Sequence, residues 1–527
     1  PFRPPQSPPM PAPDRVCVII ARTRHKMIVV ELDEAVKRGA KFIELRLDFL
    51  AKAVDFKRLL PVKKCPWIAT LRRPEDGGRW PGTEQERQMV LRQAIVSGGF
   101  DWVDLETDVA NAIPRFGPVK RLISYHNMHE TPKDLEDIYA NMLKQDGDIY
   151  KLAVMAQSAE DVARVLKLQR SAPKPTMAFS MGDIGFPSRF IALKYGAPFI
   201  YAAFNKERGV APGLPSVEEF RTTYPVRAIT PDTAIYGVLG DPVGHSLSPV
   251  LHNHMYRKLK VDAIYLPFRV PRGQLPAAVR ALDCVPVSGY SVTIPHKEAA
   301  ADLATEADDT VQRAGAANTL VRQPNGGFAA FNTDYNAAIS SLRDHINTRD
   351  HDGPPPQMNQ LFALVLGSGG AARAVAHALH DAGVRVTISG RSYDKATALA
   401  EEVKCKVVDW HARHNVLPCD VLVNCTPVGM HPKVDETPVH HSFLKPGLTV
   451  FDTIYNPENT MLVREARERG CHIVTGVDMF VRQAARQIEM LTGKEPPIDQ
   501  MRDLMRKAMS PVNRAIDEEL DESDDDD

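Results

Sequence analysis

From Val16 to about Tyr224, short apolar runs alternate with longer amphipathic stretches. The apolar runs are Val16–Ile20, Lys41–Arg46, Trp67–Leu71, Trp102–Glu106, Arg121–Ser124, Ile149–Val154, Thr176–Met181 and Phe199–Ala202. Each has the length of a strand. The stretches between them, such as Glu84–Val96, Lys133–Leu143 and Ala159–Leu168, carry the helical period. Eight strand–helix units in roughly 210 residues is the arithmetic of a compact (β/α)8 barrel. An open doubly wound sheet is the competing architecture. The expected class is therefore α/β, with the barrel over residues 15–224.

Thr222–Asp232 is rich in turn residues and lacks a helical period, which predicts a linker over 225–233. A new strand pattern starts at Ala234–Leu239, and strand–helix alternation continues to about Asn336. A second break falls at Asp352–Gln357, after which Leu361–Leu366 opens a further series. The spacing predicts one lobe over 234–345, a second over 346–475, and helices over 476–512 that return to the first. The proline-rich start, residues 1–14, and the acidic end, residues 513–527, are expected to be disordered.

The length of 527 residues requires two or three hydrophobic cores. A formal net charge of −1 with no basic block argues against nucleic acid or an anionic membrane as partner. No apolar run approaches the ~20 residues that span a bilayer. Seven scattered cysteines without a Cys-x-x-Cys pair suggest reduced thiols in a cytosol-like compartment and no zinc site.

Two patterns carry chemistry. In the first region Lys151 stands inside the apolar run Ile149–Met155. Burial disfavours an ammonium and frees an amine for nucleophilic attack. A strand-end lysine that snorkels to water is the alternative. Glu44, Arg46 and Asp48 are spaced by two, so they share one strand face. Arg72 ends the third strand, His126 follows the fifth and Arg189 follows the seventh, all at carboxyl ends where barrels assemble their sites. These segments, Glu44-Leu-Arg46, Thr70-Leu-Arg72 with Gly77-Gly78, Ile123-Ser-Tyr-His126, Lys151-Leu-Ala-Val-Met155 and Ser180-Met181 with Ser188-Arg189, resemble type I 3-dehydroquinate dehydratase across the whole region. The resemblance implies an imine on Lys151 and proton transfer by His126. It implies that Glu44, Arg46 and Arg72 hold hydroxyls and that Arg189 pairs with a carboxylate. Three positions depart from that family. Asp76 stands where glutamate is usual, and Val210 and Leu214 replace the serine and glutamine of the last loop, which puts carboxylate-side binding in question.

In the second region, Gly240-Asp-Pro-Val-Gly-His-Ser246-Leu-Ser248 runs from a strand through a turn into a helix, where hydroxyls can meet an anion. Helix capping is the plainer reading of those serines, as it is of Asp334. Gly367-Ser-Gly369-Gly370-Ala371 follows a strand and opens a helix, the context of a dinucleotide-binding Rossmann turn. The next strand ends in Gly390-Arg391-Ser392, with Lys395 close by, which favours a ribose 2′-phosphate and hence NADP. Together with Gly289–Lys297, Asn318-Thr319, Asn332-Thr-Asp334 and Asn424–Met430, these segments resemble shikimate dehydrogenase from about Tyr236 to Gly493.

That resemblance implies that Ser246 and Ser248 bind a carboxylate and that Thr293, Asn318 and Gln483 contact ring hydroxyls. It makes Lys297 and Asp334 the catalytic pair. Thr426, Tyr455 and Gly476 would lie near the nicotinamide. Ser291 and Gly390 stand where asparagine is common. The two regions together resemble the bifunctional dehydratase–dehydrogenase fusions. The expected activity is dehydration of 3-dehydroquinate to 3-dehydroshikimate, then NADPH-dependent reduction to shikimate. Small-molecule substrates are the expected partners, with neither nucleic acid nor membrane. The expected setting is a bacterial cytoplasm, or a plastid stroma if a presequence has been removed. A shikimate or quinate dehydrogenase joined to a weakened or non-catalytic scaffold barrel is the alternative.

Overall fold

The computed structural model describes residues 14–348 and 354–510. The ends expected to be disordered, apart from Asp14, and part of the break at Asp352–Gln357 fall outside those residues. The described residues divide into two compact units, those up to Tyr236 with Asp262–Val287, and Gly237–Val261 with those from Ser288 onward.

One eight-stranded sheet is formed by β1 (Val16–Ile20), β2 (Ile43–Arg46), β3 (Trp67–Thr70), β4 (Trp102–Glu106), β5 (Lys120–Asn127), β6 (Ile149–Met155), β7 (Thr176–Met181) and β8 (Ile200–Ala203), all in the first unit. They pair in sequence order from β1 to β7, and β8 returns to lie parallel beside β1. That order is the barrel's and excludes the open doubly wound alternative, in which the strand order reverses from a central switch point. β7 and β8 are the two ends of the hydrogen-bonded sheet, so the sheet is curled and barrel-like. Most strand residues are buried, because helices cover one face and the lumen the other. The helices Glu84–Val96 and Ala159–Ser171 open on full capping boxes, Thr83 with Glu86 and Ser158 with Asp161, which fixes where each βα turn ends. The predicted linker carries local structure: a helix at Val217–Thr222 leads into it, and a short 3-10 turn at Val226–Ala228 lies within it.

Later strands are β9 (Ala234–Gly240), β10 (Ala263–Arg269), β11 (Val287–Val292), β12 (Glu306–Ala307), β13 (Thr319–Arg322) and β14 (Phe328–Phe331). β11, β13 and β14 are antiparallel neighbours, and β12 runs parallel to β14. A six-stranded parallel sheet follows: β15 (Phe362–Leu366), β16 (Arg385–Gly390), β17 (Lys406–Asp409), β18 (Val421–Asn424), β19 (Thr449–Asp452) and β20 (His472–Val474). Its order, β17-β16-β15-β18-β19-β20, reverses at β15. Ligands in such sheets sit beyond the carboxyl ends of the strands at that switch point. The central strand, Phe-Ala-Leu-Val-Leu, is apolar throughout because helices cover both faces.

Candidate active sites

One cavity opens in the barrel, lined by Glu44, Arg46, Arg72, His126, Lys151 and Arg189 together with Asp76, Tyr201, Val210 and Leu214. Of the seven residues singled out in the first region, all but Asp48 therefore meet in one place. Alternation on β6 explains the lysine: Lys151 and Ala153 line the cavity, and Tyr150, Leu152 and Val154, which alternate with them, do not. Lys151 is 6% exposed. Its Nζ lies 3.4 Å from Asp104 Oδ2 and 3.9 Å from Glu44 Oε1, and 4.4 Å from the Tyr201 ring centroid. Burial lowers its pKa against the pull of those two carboxylates.

His126 was expected just beyond β5. It lies within the strand, because β5 pairs with β6 as far as Asn127, and the register sets Ser124 opposite Lys151 and His126 opposite Ala153. Enclosure and the cations Arg72, Lys151 and Arg46 hold its pKa well below the usual histidine value. Its buried Nδ1 has no hydrogen-bond partner. A neutral imidazole beside a buried amine is equipped to move protons.

The charges sort into two kinds. Arg46 grips Asp48 through two hydrogen bonds of 2.9 Å. Asp48 does not share the strand face as its spacing suggested, because β2 ends at Arg46 and Asp48 sits in a 3-10 turn, Leu47–Phe49, that folds it back. Arg72 donates to Asp104 Oδ2 at 2.6 Å, to Glu106 Oε1 at 2.8 Å and to Ser124 Oγ at 2.9 Å, so its guanidinium is anchored on protein. Arg189 differs. It is 3% exposed, donates to the Pro212 carbonyl at 3.1 Å and stacks on Phe179, and its Nε is unpartnered. Burial pushes its pKa down to about 9, so it stays charged at neutral pH. A buried cation of that kind calls for an anion from outside.

Asp104, Glu106 and Tyr201 escaped the sequence reading. The signal was there: two carboxylates spaced by two within an otherwise apolar run, Trp102–Glu106.

The second site gathers at the ends of several strands of the second unit. Lys297 opens the helix Lys297–Leu303, and its Nζ lies 2.5 Å from Asp334 Oδ2, near the start of the helix Thr333–Thr348. Asn318 Nδ2 donates to Thr333 Oγ1 at 2.9 Å and to Gln483 Oε1 at 3.5 Å. Tyr455 is hydrogen-bonded to the Ser246 side chain and packs on Phe480, one turn before Gln483. Ser248 donates its N–H to Ser246 Oγ at 3.2 Å. Thr293 lies against β9: a Cβ at Gly240 would meet its methyl at 2.6 Å. Gly476 permits a close crossing, since a Cβ there would strike the Ile454 carbonyl at 2.2 Å, next to Tyr455.

The glycine turn adjoins these groups. Gly367 has φ +120°, and a Cβ at Gly370 would touch the Lys297 stem at 3.2 Å. Nothing lies within 4 Å of a Cβ at Gly369, which caps the helix Gly370–Asp381 with Ala371 in its first turn. Thr426 donates from Oγ1 to Asn424 Oδ1 at 2.7 Å, beyond β18. Arg391, Ser392 and Lys395 follow β16 and are exposed, Lys395 in the helix Tyr393–Val403. An open glycine turn at a helix start, with cations and a hydroxyl beyond the adjacent strand, fits a dinucleotide bearing a 2′-phosphate.

Four family models match the chain: type I 3-dehydroquinase over residues 16–231, shikimate dehydrogenase substrate binding domain over 238–320, shikimate/quinate 5-dehydrogenase over 354–451, and shikimate 5′-dehydrogenase C-terminal domain over 476–506. The chain is 34% identical over 513 residues to the chloroplastic bifunctional 3-dehydroquinate dehydratase/shikimate dehydrogenase of Arabidopsis thaliana, covering 94% of this chain and 85% of that one. This chain belongs to the bifunctional 3-dehydroquinate dehydratase/shikimate dehydrogenase family. Its second part alone is 39% identical to the NADP(+) shikimate dehydrogenase of Bacillus cereus (strain AH187), over 51% of this chain and 97% of that one. Among solved structures, shikimate 5-dehydrogenase of Thermus thermophilus, in complex with NADP(H) and shikimate, is 32% identical with a TM-score of 0.46, covering 52% of this chain and 99% of that one.

Within the family, the departures at Val210 and Leu214 put hydrocarbon on the wall of the dehydratase cavity. Asp76 also lines it, and its carboxylate is taken by Arg73 Nε at 2.7 Å. Ser291 is absorbed structurally, donating to Gln487 Oε1 at 2.9 Å.

Proposed function

We propose that the chain dehydrates 3-dehydroquinate to 3-dehydroshikimate in its first unit and reduces that product to shikimate with NADPH in its second. The observation that carries the first reaction is the meeting of a dry amine, a neutral imidazole and an anion-seeking arginine in one cavity. In our reading, Arg189 takes the substrate carboxylate in a bidentate pair. Glu44, Arg46 and Arg72 hold hydroxyls, Arg72 being fixed in place by Asp104 and Glu106. The free Lys151 amine adds to the ketone, and the carbonyl oxygen leaves as water. The resulting iminium acidifies the neighbouring carbon. His126 removes a proton there and returns it to the departing hydroxyl, which leaves as a second water.

For the second reaction, Ser246 and Ser248 receive the carboxylate, and Thr293, Asn318 and Gln483 the ring oxygens. Tyr455 buttresses Ser246. Lys297, held by Asp334, delivers the proton to the developing alkoxide. NADPH, when bound, supplies the hydride. Gly367, Gly369, Gly370 and Ala371 admit its pyrophosphate. Arg391, Ser392 and Lys395 take its 2′-phosphate, and Thr426 and Gly476 flank the nicotinamide. We place the dehydratase at 15–224, the substrate lobe at 234–345, the NADP lobe at 346–475 and the closing helices at 476–512. Bacterial cytoplasm or plastid stroma is the proposed setting.

A two-step assay on one sample tests the reading. Dehydroquinate alone should raise the enone absorbance, and later addition of NADPH should bring its oxidation. No absorbance rise would reject an active barrel and leave the scaffold alternative. Faster turnover of quinate than shikimate in the reverse direction would reassign the second site.

A further inference from the structure

We infer that Asp104, which the reading above uses only to fix Arg72, is the counter-ion of Lys151 Nζ, facing its ammonium before the proton is shed and its iminium after the free amine has added. This rests on the proposed imine chemistry. Written from the charged amine, the step balances as ammonium plus ketone giving iminium plus water. The carbon–nitrogen double bond forms, the carbon–oxygen double bond breaks, and one positive charge is carried from reactants to product. The protein must therefore accommodate a cation in a dry place before and after bond formation. A carboxylate fixed beside that nitrogen serves both stages without moving.

Asp104 is built for this. Its side chain is fully buried and Oδ2 lies 3.4 Å from Lys151 Nζ, nearer than Glu44 at 3.9 Å. It is clamped by Arg72 Nη2 at 2.6 Å and by Ser124 Oγ at 2.5 Å, and Ser124 faces Lys151 across the β5–β6 ladder. Behind it the chain of charges continues through Arg72, Glu106 and Arg87. Burial raises the Asp104 pKa, but Arg72, Lys151 and the hydrogen bonds outweigh it and bring it down to about 2, so it stays ionised. The other titratable groups near Lys151 are Glu44 and Arg46 on β2, Arg72 after β3, His126 on β5, Tyr201 on β8 and Cys17 on β1, with Glu106 on β4 one step further off behind Arg72. Of the carboxylates among them, Glu44 accepts a hydrogen bond from Thr70 at 2.7 Å, while Glu106 is held by Arg72 and Arg87.

The test is the pH dependence of borohydride trapping of dehydroquinate on Lys151 in the full chain, read by mass. In D104N the inflection should fall by ~1–3 pH units, because the anion that favours the ammonium is gone. D104E should return it to within about half a unit of wild type. An unmoved inflection in folded D104N overturns the inference. Should D104N fail to fold, E44Q decides. Its inflection should move by less than about one unit, and a larger shift assigns the counter-ion to Glu44 instead. Failure of the wild-type chain to trap at any pH rejects the imine reading itself, a separate result.

Discussion

The guanidinium of Arg189 reaches the carbonyl of Pro212 at 3.1 Å, and among the described residues no carboxylate comes within ion-pair distance of it. The dehydratase cavity thus stores an unpaired buried charge that only an incoming anion relieves. Arg189→Met should leave the ligand-free barrel as stable as wild type or more so, because replacing an uncompensated buried charge with hydrocarbon of similar size relieves desolvation. The same change should lower dehydratase kcat/KM by roughly 100-fold or more, since a charge-assisted bidentate contact contributes about 3 kcal/mol or more. Thermal melts beside steady-state rates would show the two effects moving in opposite directions.

His126 ties the barrel's stability to pH. Its pKa in the folded chain lies well below 6.5, while the unfolded chain takes up its proton near 6.5. Below pH 6.5 the unfolded state therefore binds more protons than the native state. Stability contributed by the neutral ring is present above 6.5 and is lost as pH falls through that value toward the folded pKa, at up to about 1.4 kcal/mol per pH unit. His126→Gln should remove this slope. Urea melts at pH 7.0 and 5.5 would show a pH sensitivity smaller by roughly 1 kcal/mol in the variant.

The strand positions were legible because apolar runs of strand length recur between helical periods. Lys151 was legible because a charge inside an apolar strand has few explanations. The protein partners of Arg72 were not legible. Its partners Asp104 and Glu106 lie a full βα unit away, and only strand register brings them together. His126 was placed after β5 because Tyr125-His126-Asn127 looks polar, yet pairing with Leu152-Ala153-Val154 extends the ladder through it. The spacing of Glu44, Arg46 and Asp48 misled because a strand period was assumed past the point where the chain turns into Leu47–Phe49. The dehydrogenase cluster was more readable. Its glycine turn and helix starts are local, whereas the pairing of Asn318 with Gln483 spans 165 residues.

Lys297 and Asp334 form an ion pair at 2.5 Å, so each sets the position of the other. Lys297→Met should cut the reduction rate by about 100- to 10,000-fold, the usual loss when a positioned acid is removed. KM for dehydroshikimate should change little. Dehydratase turnover in the same variant should equal wild type, and Lys151→Met should show the reverse pattern. Loss of both activities in either variant would reject the division of labour.

Arg391 and Lys395 are exposed beyond β16, where a ribose phosphate would sit. Arg391→Ala with Lys395→Ala should weaken NADPH binding by roughly 10- to 100-fold, as two charge-assisted contacts are lost, and NADH binding should scarcely change. Fluorescence titration of both cofactors against the variant measures this directly. Equal weakening for the two would place those residues away from the 2′-phosphate.

Val210 and Leu214 line the dehydratase cavity with hydrocarbon alongside Arg189, and neither can replace a hydrogen bond to a polar substrate. Each missing bond to a charged ligand costs about 1–3 kcal/mol. The double variant Val210→Ser with Leu214→Gln should therefore raise dehydratase kcat/KM by roughly 5- to 100-fold, chiefly through KM. Its effect should depend on Arg189, since the new hydroxyl and amide only help a carboxylate already anchored there. In an Arg189→Met background the gain should largely vanish. A full gain without Arg189 would show that these residues act on loop order rather than on substrate. No gain in either background would mean that the hydrocarbon wall leaves the anchored substrate's contacts intact.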